Sequence, residues 1–469
     1  MNNITFLETQ NNNKNTAAVP EEKIGFWDRY DIFLIAILAT ELFTPYLIWI
    51  GILPGILRWI TDLALLAIIG LTLIRMLLLD KIPPVVLVIL GITIVGTIVA
   101  FFEGQALPAT IWGWWVMFRY PIIGIYAYLK PHWPINFSAR LLKALVWLLG
   151  FEVSFQIIQY LAGEPPGDHL AGTFGGFGTA SLLMLLMLTF SLALGQWLAN
   201  GDWRMLGWVV LFCTISSTLG EMKIFPFVVV ILAVLALCIH LIRGQQMQRL
   251  ILFVLIFLVI VIAFVAMFNL VVAEQVEGVR RLEDYLFDAN NLNTYLFSKQ
   301  LSTTGSYFGR GFALQYGWQI LQRDGPTFLF GMGLGARGES RALGIVGEGL
   351  RQGNFGLYSG TSLLVMMQEI GAVGLFIFGF FMLWFISRVY QDAKRDPGSA
   401  DTVVRYGMIM FSVLWPIWLW YEAIWASSIP MLLYWGLMGY ILSRPLPAPA
   451  NKYPPAYARK NQKTNVYLS

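Results

Sequence analysis

The chain has few charged residues. Asp, Glu, Lys and Arg make up 12% of its 469 residues, whereas hydrophobic residues make up 57%. A soluble globular protein carries roughly twice that charged fraction, so the composition excludes a soluble domain as the main body. The net charge of +4 is small and gives no reason to expect nucleic-acid binding. The composition is that of a polytopic α-helical membrane protein, because a membrane β-barrel would show short alternating strands.

Cysteine and histidine are also scarce. The chain has two cysteines and three histidines, and both cysteines, Cys213 and Cys238, lie inside apolar segments. This placement argues against a disulfide framework. The sequence shows no His, Cys or carboxylate cluster with metal-ligand spacing and no GxSxG nucleophile motif. We therefore predict neither a metal nor another cofactor.

Apolar segments of membrane-spanning length fill most of the chain. A helix of about 20 apolar residues crosses the hydrocarbon core of a bilayer. The sequence predicts an all-α fold with about twelve such spans. They lie near residues 31–51, 59–79, 84–102, 107–129, 140–161, 175–198, 203–219, 223–243, 249–272, 361–386, 405–421 and 427–443.

These segments also predict how the chain is organised. Lys and Arg in the short loops gather on the side of the two termini, so both termini are expected in the cytoplasm. The long polar segment falls on the opposite side, because lipid cannot satisfy irregular backbone. The predicted parts are a disordered tail (1–27), nine spans (28–272), a large extracytoplasmic loop (273–360), three spans (361–443) and a second disordered tail (444–469).

The large loop is the first place to expect chemistry. Seven of its eight basic residues are Arg, the side chain that best grips a phosphate. The segment 309–320 (GRGFALQYGWQI) has apolar residues at helical spacing and predicts a helix on the membrane surface. A glycine-rich turn follows at 330–338, where backbone N–H groups can approach an anion closely. The alternative is that these charges only solvate the loop.

One arginine is predicted inside the membrane. Arg119 lies in the middle of the fourth span, where a charge is costly unless it is paired or faces water. Glu41 and Glu152 lie at similar depth, so we expect Arg119 to contact one of them or a bound anionic headgroup. Pro121 is expected to kink this span. A purely structural ion pair is the alternative.

Other polar residues lie at the loop ends on the same side as the large loop. Glu221 and Lys223 flank the predicted eighth span, and they either pair with each other, touch a substrate or mark the interface. His169 lies in an outer loop and is a candidate base or phosphate ligand, or a solvated histidine.

Two short patterns in this chain resemble a known family. Gly309-Arg310 is followed by Trp318 and by the glycine turn from Gly331 to Gly335. Farther along, Glu369-Ile370-Gly371 is followed by Gly374. With the span number and the late outer loop, these patterns resemble the O-antigen ligase and O-antigen polymerase superfamily (Wzy-like) of bacterial cell-surface polysaccharide assembly, of which this chain looks like a divergent member.

The resemblance implies a metal-independent glycosyltransferase. Such enzymes move a glycan from a polyprenyl diphosphate in the bilayer to an acceptor hydroxyl. The resemblance implies that Arg310 binds the diphosphate, with Arg119, Lys223 or Arg337 as helpers. The general base is expected among His169, Glu348 and Glu369.

The resemblance also implies a setting and partners. The chain is expected in the bacterial inner membrane, with the lipid-linked oligosaccharide as substrate and with chain-length regulator and flippase proteins as partners. Ligases of the family carry a histidine before the tenth span, where this chain has Tyr358-Ser359-Gly360, so a polymerase is favoured over a ligase. A transporter or flippase and a scaffold of an assembly complex are the other readings.

Overall fold

A computed structural model describes most of the chain between its two ends. The described residues are 30–79, 82–130, 132–134, 136–176, 178–242, 247–276, 280–302, 305–322, 324–340, 343–349, 361–397, 399–421, 424 and 428–444. The predicted tails, 1–27 and 444–469, lie outside these residues apart from Arg444. The Tyr358-Ser359-Gly360 segment also lies outside them.

The described regular structure is almost entirely helical. The helices are α1 (Tyr30–Trp49), α2 (Arg58–Leu79), α3 (Pro84–Phe102), α4 (Leu107–Phe118), α5 (Pro121–Leu129), α6 (Phe137–Leu161), α7 (Thr179–Asn200), α8 (Arg204–Leu219), α9 (Phe225–Ile242), α10 (Met247–Phe268), α11 (Leu282–Phe287), α12 (Ala289–Phe297), α13 (Arg310–Leu321), α14 (Gly325–Phe330), α15 (Ser362–Arg395), α16 (Asp401–Val413), α17 (Trp415–Tyr421) and α18 (Ser428–Ser443). Two antiparallel strand pairs lie in the long loop: β1 (Lys299–Ser302) with β2 (Gly305–Phe308), and β3 (Glu339–Ser340) with β4 (Ile345–Val346).

The helices support a multi-pass membrane architecture. Among the described residues, six helices are long and apolar enough to cross a bilayer, and the pair α16 and α17, bent by 47°, adds a seventh if it is one span. Four further apolar helices have 10–17 residues. Each of the twelve segments predicted from the sequence falls on a helix or on two consecutive helices. The all-α class is therefore supported, whereas a count of twelve spans goes beyond what these lengths establish.

The centre of the bundle is α7, which is buried along most of its length. Its sequence is apolar on every face, as expected for a helix surrounded by other helices. It packs along α16, where a Cβ atom added at Gly195 would lie 2.2 Å from the carbonyl oxygen of Val403. Helices α5 and α18 approach each other in the same way at Gly124 and Gly439. Such small residues let helix backbones pack closely in membrane bundles.

Besides the bent pair α16 and α17, two more of the long apolar segments are interrupted among the described residues. Helix α4 ends at Phe118 and α5 begins at Pro121, so the span expected to kink at this proline is divided into two helices, and Arg119 and Tyr120 between them keep right-handed helical angles. Helix α15 contains Gly371 with φ 58° and ψ −163°, which are not helical angles. The N–H and C=O groups freed by the irregular backbone at Gly371 need partners from neighbouring elements.

The described residues between 280 and 349 of the long loop pack against one side of the bundle, and we call this side, with those residues, the loop face. Helix α13 confirms the helix predicted at 309–320. It packs on the start of α15, where Gly317 lies against Leu364. Helix α14 and the turn after it lie against α3 and α15.

Candidate functional site

A cavity of about 310 Å³ lies at the loop face. It lies between the start of α9, α11, α12, the start of α13 and the end of α17. Two cations, Lys223 and Arg310, are part of its wall. The other lining residues are apolar or aromatic: Ile224, Phe227, Val228, Leu282, Tyr285, Leu292, Tyr295, Leu296, Ile417, Trp420 and Tyr421. The structure thus brings together two of the predicted substrate-binding residues.

Arg310 is the first residue of α13 and is held by two tyrosines. Its Nε donates a hydrogen bond to the carbonyl oxygen of Tyr421 at 2.6 Å, and its Nη1 donates to the hydroxyl of Tyr295 at 3.2 Å. The guanidinium also lies over the Tyr421 ring, 4.2 Å from its centroid. The preceding Gly309 passes so close to α12 that a Cβ atom there would lie 2.1 Å from the carbonyl oxygen of Leu296. Glycine before the arginine is therefore a packing requirement.

Lys223 lies in the turn between α8 and α9. Its Nζ is 2.8 Å from Oε1 of Glu221, and it faces the rings of Tyr285 and Tyr295 at 4.6 and 5.5 Å from their centroids. Burial lowers the pKa of Lys223, but the charge and hydrogen bond of Glu221 outweigh burial and raise the pKa above its ordinary value. Lys223 is therefore charged at physiological pH, and Tyr295 lies between it and Arg310.

Arg337 and Glu369 form a second cluster, outside the lining of this cavity. Nη1 of Arg337 donates to Oε1 of Gln368 at 2.6 Å, and burial lowers the pKa of Arg337 against the opposing charge of Glu369. The Glu369 carboxylate accepts hydrogen bonds from the backbone N–H of Arg337, at 3.1 Å, and of Gly335. Both side chains are buried, with 5% and 3% of their surfaces exposed. Arg337, predicted to help bind the diphosphate, and Glu369, a predicted general base, therefore lie together in a buried hydrogen-bonded cluster.

The glycine-rich turn joins the long loop to the bundle. Gly331, Gly333 and Gly335 all have positive φ, and Cβ atoms on them would collide with the backbones of α15, α3 and α4 respectively. The N–H of Leu334 donates to the carbonyl oxygen of Gly96 at 3.1 Å. The turn was predicted to offer N–H groups to an anion. The N–H of Gly335 does bind an acid, but that acid is the protein's own Glu369.

The other two candidate bases, His169 and Glu348, are not among the residues that line the cavity. His169 is exposed and stacks on Trp49 at the end of α1, with ring centroids 6.1 Å apart. Its loop reaches α8, because the N–H of Gly167 donates to the carbonyl oxygen of Leu219 at 2.9 Å. Glu348 is half-buried, and its N–H donates to Oε1 of Gln105 at 3.0 Å, in the turn between α3 and α4.

The partner of Arg119 differs from the prediction. Its Nη1 is 2.9 Å from Oδ1 of Asp62 on α2, and Nε1 of Trp115 donates to the same oxygen at 3.2 Å. Of the two acids expected, Glu41 adds an attraction to Arg119. Glu152 instead accepts hydrogen bonds from Thr173. The prediction overlooked Asp62, although an acid inside the predicted span 59–79 was a visible signal.

The tyrosines that line the cavity were not predicted from the sequence. Tyr285, Tyr295 and Tyr421 contact the two cations, and none of them belongs to a recognisable motif. Within the described residues, no group of three or more His, Cys, Asp or Glu side chains is arranged to hold a metal ion. The sequence matches no model of a known protein family and no curated protein.

Proposed function

We propose that the protein is a membrane glycosyltransferase that polymerises glycan repeats carried on a polyprenyl diphosphate, for a bacterial cell-surface polysaccharide. The observation that supports this most is the cavity at the loop face, where Lys223 and Arg310 interrupt an otherwise apolar and aromatic wall. A lipid diphosphate has the matching character, because a strongly anionic group is joined to an apolar chain.

The walls of the cavity suit the two parts of such a ligand. Phe227 and Val228 on α9 and Ile417 on α17 are apolar, and Phe227 is half exposed on the surface of its helix. An isoprenoid chain in the bilayer reaches the cavity along this side. Arg310 offers a planar guanidinium that grips phosphate oxygens, while Lys223 adds a point charge.

The proposed reaction exchanges one C–O bond for another. The acceptor hydroxyl oxygen bonds to the anomeric carbon of the donor glycan, and the bond from that carbon to the diphosphate oxygen breaks. Negative charge grows on the diphosphate as it leaves, where Arg310 and Lys223 stabilise it. The hydroxyl proton passes to a general base. We favour His169 over Glu348 and Glu369, because its loop contacts the Glu221–Lys223 turn.

The proposal includes a topology. Twelve spans with both termini in the cytoplasm place residues 273–360 outside the inner membrane, where lipid-linked repeats are presented. The lipid-linked oligosaccharide is then the substrate, and chain-length regulator and flippase proteins are the proposed partners. A ligase of the same superfamily would use the same cavity with a different acceptor.

A transporter or flippase is the second candidate, favoured by the pair of Arg119 and Asp62 within the bundle. Charged residues inside a membrane often mark a pathway for ions or substrates. A transporter would depend on this pair more than on Arg310, and that difference separates the two functions.

The deciding experiment is the glycan profile of a deletion strain complemented with variants. Arg310→Ala removes a contact to the leaving diphosphate, so about 2–4 kcal/mol of transition-state stabilisation should be lost, which lowers polymer formation by about one and a half to three decades. Single repeats on the polyprenyl diphosphate should accumulate. Arg281→Ala is the matched control, because Arg281 is an exposed arginine of the same loop.

Three other outcomes would change the conclusion. A normally expressed Arg310→Ala protein with full activity would remove the assignment of this arginine. Polymer that persists but stays on the carrier lipid would identify a ligase. Unchanged glycans in the deletion strain would make the transporter the better reading.

A further inference from the structure

The segment between α6 and α7 enters the bundle instead of crossing its surface. Residues 162–178 contain only a three-residue 3₁₀ turn, Gly172–Phe174, among the described positions. Yet Leu170, Ala171 and Thr173 are almost completely buried. Irregular backbone at membrane depth is tolerated only when protein groups satisfy its N–H and C=O groups.

Helix α6 supplies these groups from a single stripe. Glu152, Gln156 and Gln159 lie at spacings of four and three residues, which places them on one face of the helix. The Glu152 carboxylate accepts hydrogen bonds from the N–H of Thr173 at 2.9 Å and from its hydroxyl at 2.6 Å. Nε2 of Gln156 donates to the carbonyl oxygen of Leu170, and Nε2 of Gln159 donates to that of Gly172.

The position of Glu152 along α6 shows how far the loop enters the bundle. Glu152 lies nine residues before the end of α6 at Leu161, which is about 14 Å along a helix axis. The tip of the loop is therefore well below the end of α6. Gly172 has φ 63°, and a Cβ atom there would lie 2.2 Å from Oε2 of Glu152. The loop backbone thus lies directly against the carboxylate.

The other limb of the loop contacts the candidate site. The N–H of Gly167 donates to the carbonyl oxygen of Leu219 at the end of α8. A Cβ atom at Gly167 would lie 3.4 Å from Oε2 of Glu221, the partner of Lys223. A single short loop therefore connects Glu152 to the turn that holds Lys223.

We infer that residues 162–178 form a re-entrant loop anchored by Glu152, and that Glu152 is a positioning residue for the Glu221–Lys223 turn. Removing the carboxylate releases Thr173, changes the depth of the loop and displaces Gly167 from Glu221. The effect of this displacement on glycan transfer rests on the proposed function, whereas the anchoring itself does not.

Thiol labelling tests the anchoring without reference to activity. In a Cys213→Ala, Cys238→Ala background, Ala171→Cys places a thiol at a fully buried position of the loop. A membrane-impermeant maleimide should label it slowly, and Glu152→Ala should raise the rate at least about tenfold. Thr173→Val, which removes one of the two hydrogen bonds, is a milder variant and should raise it about threefold. Ser154→Ala, on the exposed side of α6, is the matched control and should change nothing.

A thiol at position 223 reports on the turn that Gly167 contacts. Lys223→Cys should change its labelling rate by about threefold or more when Glu152→Ala is added, but not with Ser154→Ala. Rapid labelling of Ala171→Cys with Glu152 intact, or rates unaffected by Glu152→Ala, would overturn the anchoring. A changed rate at 171 with an unchanged rate at 223 would overturn the positioning role.

A double-mutant cycle then connects the loop to activity. If Glu152 acts through Lys223, Glu152→Ala should lower polymer formation about tenfold in the native chain and less than twofold in Lys223→Ala. A merely structural role predicts the same factor in both backgrounds, and that result would overturn positioning through Lys223. If the native chain makes no polymer, the proposed function fails, and the labelling rates still decide the anchoring and the positioning.

Discussion

Two sites at the loop face contain charged residues in different surroundings. One is the cavity lined by Lys223 and Arg310, and the other is the buried cluster of Arg337 and Glu369. In the cavity, both cations contact tyrosines and line a volume of about 310 Å³. In the cluster, Glu369 is held by backbone N–H groups and Arg337 by Gln368. The two places are neighbours, because Arg310 and Tyr316, which lies near Arg337, are about 9 Å apart along α13.

The difference shows what makes a charged residue available to a ligand. A buried carboxylate that accepts two backbone hydrogen bonds is closed off from a substrate, and its loss leaves buried donors unsatisfied. Arg310 and Lys223 line a cavity, so a ligand in that volume would lie against both side chains. We therefore expect the cluster to determine stability and the cavity to determine activity.

The largest effect should come from Glu369→Ala. This change leaves the N–H groups of Gly335 and Arg337 without an acceptor and removes the nearby opposite charge from Arg337. The free energy of unfolding should fall by about 3–5 kcal/mol, which thermal unfolding in detergent would detect as a large loss of melting temperature. Glu348→Ala, at a half-buried carboxylate, should cost far less. A Glu369→Ala protein that is stable but inactive would reverse the roles assigned to the two places.

A smaller loss, of activity alone, should follow Lys223→Ala. Losing a charged contact to the diphosphate should cost about 1.5–3 kcal/mol, so polymer formation should fall roughly ten- to hundredfold. Thermal unfolding should change little, because Lys223 lies in the cavity wall. Lys223→Arg keeps the charge and should retain more activity than Lys223→Ala. A Lys223→Ala protein that unfolds as easily as Glu369→Ala would place this lysine among the structural residues.

The fold was predictable where apolar length alone decides it. Helix α3 runs over Pro84–Phe102, as predicted, and α6 begins at Phe137, three residues before its predicted start. Hydropathy does not reveal where a helix breaks, so the change of direction at Gly371 was not predicted. The burial of the loop between α6 and α7 was also missed, because it depends on hydrogen bonds from α6.

The candidate site was only partly predictable for a related reason. Arg310 and Lys223 stood out as cations at the predicted outer side, and the structure places them in one cavity. Their tyrosine partners come from α11, α12 and α17, and no sequence pattern indicates that these elements meet. The glycine turn was correctly expected to offer N–H groups, but the sequence did not reveal that Glu369 occupies them.

The smallest effect, from Tyr295→Phe, gives the sharpest test of the cavity. The substitution removes only the hydroxyl that accepts from Nη1 of Arg310 and keeps the ring that faces Lys223. A neutral partner of this kind contributes about 0.5–1.5 kcal/mol, so polymer formation should fall about two- to tenfold. Tyr160→Phe is the control, because its exposed hydroxyl donates to Gln275.

The size of the Tyr295→Phe effect decides what the tyrosine does. A modest loss means that the hydroxyl orients Arg310, and the loss should then disappear in an Arg310→Ala background, because no guanidinium remains to be oriented. A loss above a hundredfold would mean that the hydroxyl itself contacts the reacting groups. No loss at all would mean that the Tyr295 hydroxyl is not needed to hold the guanidinium, which would contradict its assigned role.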